Sequence, residues 1–486
     1  MNPKIKDILK DYEKIWALNQ ANSLLNWDLE TYMPKNGVEA RGLAIAHISL
    51  LRQTFFLELS KKVSSVKIDK LDETEAGIVR TLNRTIHYYT TIPPEIIEKF
   101  ETLTSKATVV WREAKSKSDF SLFRKYLNDI VEINVIIAEK LGYEGNIYDP
   151  LMDLYEEGFT VRDADSVFDR LLSGLREIYN RIIEENIFST PSRLEKIKYR
   201  ERDMILVNKK IIELLEMPAD RFRIDVSSHP FTTEISEDDV RITTRYEGYN
   251  FKATLFSTIH ESGHAIYQLQ IPSKFARMPI ARGVSSGIHE SQSRFWENFI
   301  GRSKEFVHFI YPVLKYNLPF LKNYTEDRIY RYFNTVRPSL IRVDADEVTY
   351  NFHIALRYEI EKKLINSEIE VKEVPELWND FMEKYIGIRP KNDSEGVLQD
   401  IHWSGGSFGY FPTYSLGNIV AGMIWGKHDF TGELDNMDIR AIKLHLYEKV
   451  HKYGSIYEPK KLLMKSFGET YNPDYLLTYL KKKFLS

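Results

Sequence analysis

The sequence predicts a mainly α-helical protein built as one large unit around an internal groove, and three observations predict it. Apolar residues recur at helical spacing through most of the 486 positions. Only one short stretch, just ahead of residue 250, alternates in the manner of strands. No Gly/Ser-rich or Pro-rich linker and no internal repeat divides the chain, so residues 1–486 are expected to form a single unit. Its approximate lobes are a helical part over 1–225 and a part over 226–486 that carries the chemical motifs.

Each element has its own signal. Ile5, Ile8, Leu9, Tyr12, Ile15 and Trp16 fall on one helical face, which predicts a first helix buried on one side. Asp72 followed by Glu75 is a capping-box start, and Pro93-Pro94 ahead of Glu95 begins another helix where proline costs no hydrogen bond. Val167, Phe168, Leu171, Leu172, Leu175, Ile178 and Tyr179 form a second stripe. Phe231, polar Ser236 to Asp239, then Val240, Ile242, Thr244 and Tyr246 in alternation predict a small hairpin or sheet. The helical pattern resumes from Phe251 to Gln270 and is closed by Pro272. Ile288, Phe295, Trp296, Phe299 and Ile300 predict a further helix, and Gly405, Gly406 and Gly409 mark an irregular loop.

Composition excludes several classes of function. A net charge of −3 and a pI near 6.5, with no long block of one sign, argue against nucleic-acid binding or a polybasic membrane patch. A small or peptide-sized partner is expected. The chain has 0 cysteines, so neither a disulfide framework nor thiolate metal ligation is available, leaving His, Asp and Glu as ligands. The opening Met1-Asn2-Pro3-Lys4 has no apolar signal core and no long apolar run follows, which predicts a cytoplasmic location.

The chemical signal is His260-Glu261-Ser262-Gly263-His264, inside the predicted helix from Phe251. Helical spacing puts the two imidazoles on one face, where they can share a zinc ion, with Glu261 close enough to act as a base on water. A catalytic zinc site usually takes three protein ligands. Spacing leaves Glu290, Glu297 and His289 as local candidates for the third; Glu290 is favoured, with Glu297 suited to orienting an imidazole. The alternating stretch just upstream offers an edge that could hold an extended peptide backbone. These features point to a zinc peptidase.

The pairing of His260-Glu261-Ser262-Gly263-His264 with His289-Glu290-Ser291-Gln292-Ser293 resembles the thermostable carboxypeptidase Taq family of zinc metallocarboxypeptidases. His229-Pro230-Phe231, Asp239-Val240-Arg241-Ile242-Thr243, Ile341 to Asp346 and Gly396 to Trp403 match further motifs of that family in its order. Weaker similarity reaches Trp27-Asp28 at one end and Gly468-Glu469 at the other; Phe467 departs from the small polar residue expected there. The resemblance implies a helical groove similar to that of neurolysin and angiotensin-converting enzyme, a homodimer, and release of single C-terminal residues from peptides. It implies one Zn2+ per chain on His260, His264 and Glu290, with Co2+ a possible substitute, and Glu261 as general base. His402, Tyr410 and Tyr414 are the expected oxyanion donors. Arg342 is the favoured anchor for the substrate carboxylate, with Arg241 next and Asp239 and Gln399 as further groove residues. The readings to be separated from this one are an oligopeptidase or dipeptidase of similar fold, and a peptide-binding scaffold with an inactive site.

Overall fold

A computed structural model describes residues 1–486. Helices dominate, beginning with Pro3–Thr31, Val38–Ser64, Glu73–Thr91, Pro94–Lys117 and Phe120–Leu141. The expected starts are realised. Asp72 and Glu75 form a reciprocal capping box, and Pro94 opens its helix at the first position. In the Val161–Glu184 helix, Val167, Phe168, Leu171, Leu175, Ile178 and Tyr179 are buried, as their spacing requires. One connected apolar core runs from Ile5 in the first helix to Phe484 in the last.

The alternating stretch supplies two strands of a three-stranded sheet, the third coming from just upstream. β1 (Phe222–Val226), β2 (Thr232–Ser236) and β3 (Asp239–Thr244) are ordered β1-β3-β2. β3 pairs parallel with β1 and antiparallel with β2, with Thr232 opposite Ile242. Val240 and Ile242 are fully buried while Arg241 lies on the opposite face, which is the consequence of strand alternation. β2 is therefore an edge strand.

Behind the sheet lies the signature helix, Phe251–Gln270, which is buried on most of its faces. It crosses the Ser286–Arg294 helix at Gly263. A Cβ at that position would stand 2.7 Å from both Gln292 O and Ser293 Cα, so only glycine lets the two backbones meet. The Ser286–Arg294 helix packs on its other side against Pro412–Gly426 and continues into a π-helical turn, Phe295–Ile300. No helix is long and apolar enough to cross a membrane.

Candidate metal centre and active-site cavity

One helical turn separates His260 from His264, and both imidazoles turn toward the neighbouring helix. Glu290 meets them there. Its Oε2 lies 3.6 Å from His260 Nε2 and 3.5 Å from His264 Nε2. Those separations are too long for hydrogen bonds but match the edge of a tetrahedron whose centre is about 2.1 Å from each ligand atom. His260, His264 and Glu290 are thus a group able to hold a metal ion.

The outer nitrogens of both imidazoles are already committed. His260 Nδ1 is 2.9 Å from Glu297 Oε2, which fixes the ring and leaves Nε2 for the metal. Glu297 lies within the π-helical turn, and Arg302 Nη2 donates to its other oxygen at 2.9 Å. His264 Nδ1 faces His289 Nδ1 at 2.6 Å. Burial, reinforced by the nearby His264, pushes His289 down to about 3, so it stays neutral and accepts the His264 proton. His289, one of the three candidates for the third ligand, is thus the partner of a ligand and stands outside the metal group.

Arg294 Nε donates to Glu290 Oε1 at 2.7 Å. Burial works to raise the Glu290 carboxyl, but Arg294, His260 and His264 outweigh it and hold the carboxyl well below its usual range. The N-terminus of the same helix is anchored by a buried acid that no motif marks, Glu156. Glu156 accepts from Ser285 Oγ at 2.8 Å, Gly287 N at 2.8 Å and Tyr471 Oη at 2.6 Å. A carboxylate there also complements the helix dipole.

These groups open onto a cavity of about 640 Å³. Thr232 of β2 lines it, and its hydroxyl donates to Glu261 Oε2 at 2.6 Å, which fixes the orientation of that carboxylate. Tyr410 and Tyr414 line the wall as well. Burial pushes the Tyr410 hydroxyl well above its ordinary range, so it remains a proton donor. His402 stands behind them, with Nε2 3.1 Å from Tyr414 Oη; burial and then Arg342 lower it to about 3, so its ring is neutral.

The remaining expected residues sit away from the cavity wall. Arg342 is buried and donates through Nε and Nη2 to Asp400 Oδ1 at 2.9 and 2.8 Å, with its guanidinium 5.0 Å from the Tyr414 ring. Arg357 binds the other oxygen of Asp400, so one carboxylate serves two arginines. Gln399 Oε1 accepts from Arg342 N at 2.9 Å and ties these two segments together. Arg241 is held by two 2.7 Å bonds to Asp239 and lies over the Trp27 ring. The arginines that do line the cavity are Arg80, Arg84 and Arg282. Arg80 and Arg84 are paired with Glu157 and Asp153, whereas Arg282 has no carboxylate partner within ion-pair distance. None of the three carries a local sequence signal.

A helical body with two imidazoles and a carboxylate converging beside a glutamate and an edge strand defines a metal-dependent peptide hydrolase. The chain belongs to the carboxypeptidase Taq (M32) metallopeptidase family, whose model matches residues 7–484. It is 49% identical over 493 residues to thermostable carboxypeptidase 1 of Pyrococcus furiosus, covering 100% of this chain and 99% of the relative. It is 37% identical to carboxypeptidase 1 of Bacillus subtilis, covering 98% and 97%. A solved structure of the Pyrococcus furiosus carboxypeptidase superposes with a TM-score of 0.97 at 48% identity over 99% of each chain. The M32 carboxypeptidase of Deinococcus radiodurans superposes with a TM-score of 0.94 at 28% identity, again over 99% of each. The family works with a metal cofactor, and the donor set described above fits one.

Proposed function

We propose that the protein is a zinc-dependent carboxypeptidase that releases single residues from the C-termini of peptides with broad side-chain tolerance. The observation that carries this reading is the convergence of His260, His264 and Glu290 beside Glu261 in a chain of the M32 family. Zinc held by those three residues would supply a Lewis acid for the scissile carbonyl and lower the pKa of water; cobalt suits the same donors. Glu261 takes the proton from the attacking water and delivers it to the leaving amine. The Thr232 hydroxyl occupies Oε2, leaving Oε1 for that proton. Tyr410 and Tyr414 donate to the developing oxyanion, and His402 orients Tyr414. β2 is an outer strand whose Thr232 lines the cavity, and pairing of a peptide backbone with it would be indifferent to side chains, which supports broad tolerance.

Exopeptidase action requires a cation for the terminal carboxylate. Arg342 remains the proposed anchor on the strength of its motif, although it, Asp239, Arg241 and Gln399 stand back from the cavity wall, with Gln399 bonded to the Arg342 backbone and Asp239 to Arg241. A second reading is favoured by one observation: Arg282 lines the cavity and is not ion-paired. Replacing each by alanine separates them, because loss of the anchor raises KM for free-acid peptides and leaves amidated peptides unaffected. Mass spectrometry of an unblocked peptide incubated with metal-loaded protein tests the whole proposal. A ladder of single C-terminal losses is expected; internal cuts, or equal turnover of C-terminally amidated peptides by the parent protein, would establish an oligopeptidase instead. The same proposal includes one catalytic unit per chain, a homodimer measurable by sedimentation, and a cytoplasmic location.

A further inference from the structure

We propose that Glu361 is a positioning residue for the reaction: as a buried carboxylate it clamps the loop between Trp403 and Gly409, and through that loop sets His402 and Tyr410. The inference rests on the reading of Tyr410 as an oxyanion donor.

Glu361 lies on the Tyr350–Ile365 helix and is 0% exposed. Its Oε1 accepts from Trp403 Nε1 at 2.7 Å, and its Oε2 accepts from Gly409 N at 2.9 Å and from the Tyr148 hydroxyl. The two ends of one loop are thus tied to the two oxygens of one side chain. Tyr410 follows Gly409 directly, and His402 precedes Trp403. The loop is also pressed against its support at Gly409, which has φ +91° and whose Cβ would stand 2.4 Å from Leu151 O. Beyond it, the Tyr410 ring meets Tyr155 edge-on at 5.1 Å before reaching the cavity.

The chemistry of the donors makes the carboxylate necessary. An indole N–H and a backbone N–H can only donate, and one faces each oxygen. Glutamine has the same shape, but its amide nitrogen would have to face one of them, donor against donor, in a site without water access. No cation is bonded to Glu361; Arg357, the nearest guanidinium to influence it, is engaged with Asp400. The titratable and charged groups that face it are Tyr148, Arg357 and Tyr155. Burial pushes the Glu361 carboxyl up to about 7, opposed by Tyr148, Gly409, Trp403 and Arg357. Protonation near neutrality therefore takes an acceptor away from the clamp.

The test uses the metal-loaded protein. Glu361→Gln is expected to keep its metal and lower kcat by about 10- to 100-fold, the effect of an ångström-scale misplacement of a catalytic group, with KM changed much less. Tyr148→Phe removes one donor, raises the Glu361 pKa and should move the acid limb of the kcat profile up by about half a pH unit. A Glu361→Gln protein with parental kcat would overturn the proposal. So would an unmoved acid limb in Tyr148→Phe, which decides the matter if the glutamine variant fails to fold. Tyr410→Phe keeps the two ideas apart: parental kcat there sinks the role given to Tyr410, while an impaired Tyr410→Phe beside an unimpaired Glu361→Gln sinks only the clamp.

Discussion

Gly263→Ala adds one methyl group inside the signature helix, and its effect can be worked from the crossing of two backbones. The new Cβ would sit 2.7 Å from Gln292 O and Ser293 Cα, whereas ordinary contact begins at 3.4 Å. The helices must separate by the difference, about 0.7 Å, because backbone atoms on the opposing helix have no rotamer to escape into. Glu290 rides on the displaced helix while His260 and His264 stay on the other. Metal coordination tolerates roughly 0.2 Å, so the third ligand is carried out of range. The expected result is a loss of about 1–3 kcal/mol in stability of the metal-free protein from overpacking, together with about 10- to 100-fold weaker metal binding. Thermal unfolding with and without metal gives the first, and titration against a chromophoric chelator gives the second. A variant with parental metal affinity and parental kcat would refute the argument that this contact sets the ligand geometry.

Glu261→Gln should retain metal and lose about 100- to 10,000-fold in kcat, since the isosteric amide cannot accept the proton; metal analysis and single-turnover kinetics check both halves. His289→Leu removes the acceptor of the His264 Nδ1 proton and should weaken metal binding by about tenfold, measured by chelator competition, with the fold intact by circular dichroism. Burial raises Glu156 to about 7, offset in part by Tyr471, Ser285 and Gly287, so its folded-state pKa lies above the unfolded value. The folded form is therefore favoured by protonation, and this contribution, present below about pH 4.5, is lost as the pH rises through 7. Glu156→Gln lacks it, so the melting-temperature advantage of the parent over the variant should be larger at pH 5 than at pH 8; an advantage that grows with pH would contradict the assignment.

Local chemistry was legible in the chain and assembly was not. The i, i+4 histidines and their adjacent glutamate needed only helical geometry, and Tyr410 and Tyr414 follow from a loop rich in glycine. β1 carries the same signal in a shorter run, Phe222, Ile224 and Val226 alternating with Arg223 and Asp225. Other features depend on partners far along the chain. Arg342 meets Asp400 across 58 residues, and Arg84 comes to the cavity from the Glu73–Thr91 helix. The facing of His264 by a neutral histidine comes from a crossing fixed by Gly263, and no periodicity encodes it. Glu156 is invisible for the same reason: its three donors come from segments that meet only in the fold.

The π-helical turn at Phe295–Ile300 bears on how this site tolerates change in chain length. A widened turn is what one extra residue in an α-helix produces, and it advances the phase of everything after it. Glu290 and Glu297, seven residues apart, share a helix face in any case; the residue whose phase the turn changes is Arg302, beyond it, which donates to Glu297 Oε1 while Glu297 holds His260. Losing a single residue between 298 and 300 would restore an ordinary helix and rotate Arg302 away from Glu297, with every ligand still present. The support of His260 is thus guarded by register as well as by residue identity, and a one-residue deletion there should be as damaging as replacing Arg302.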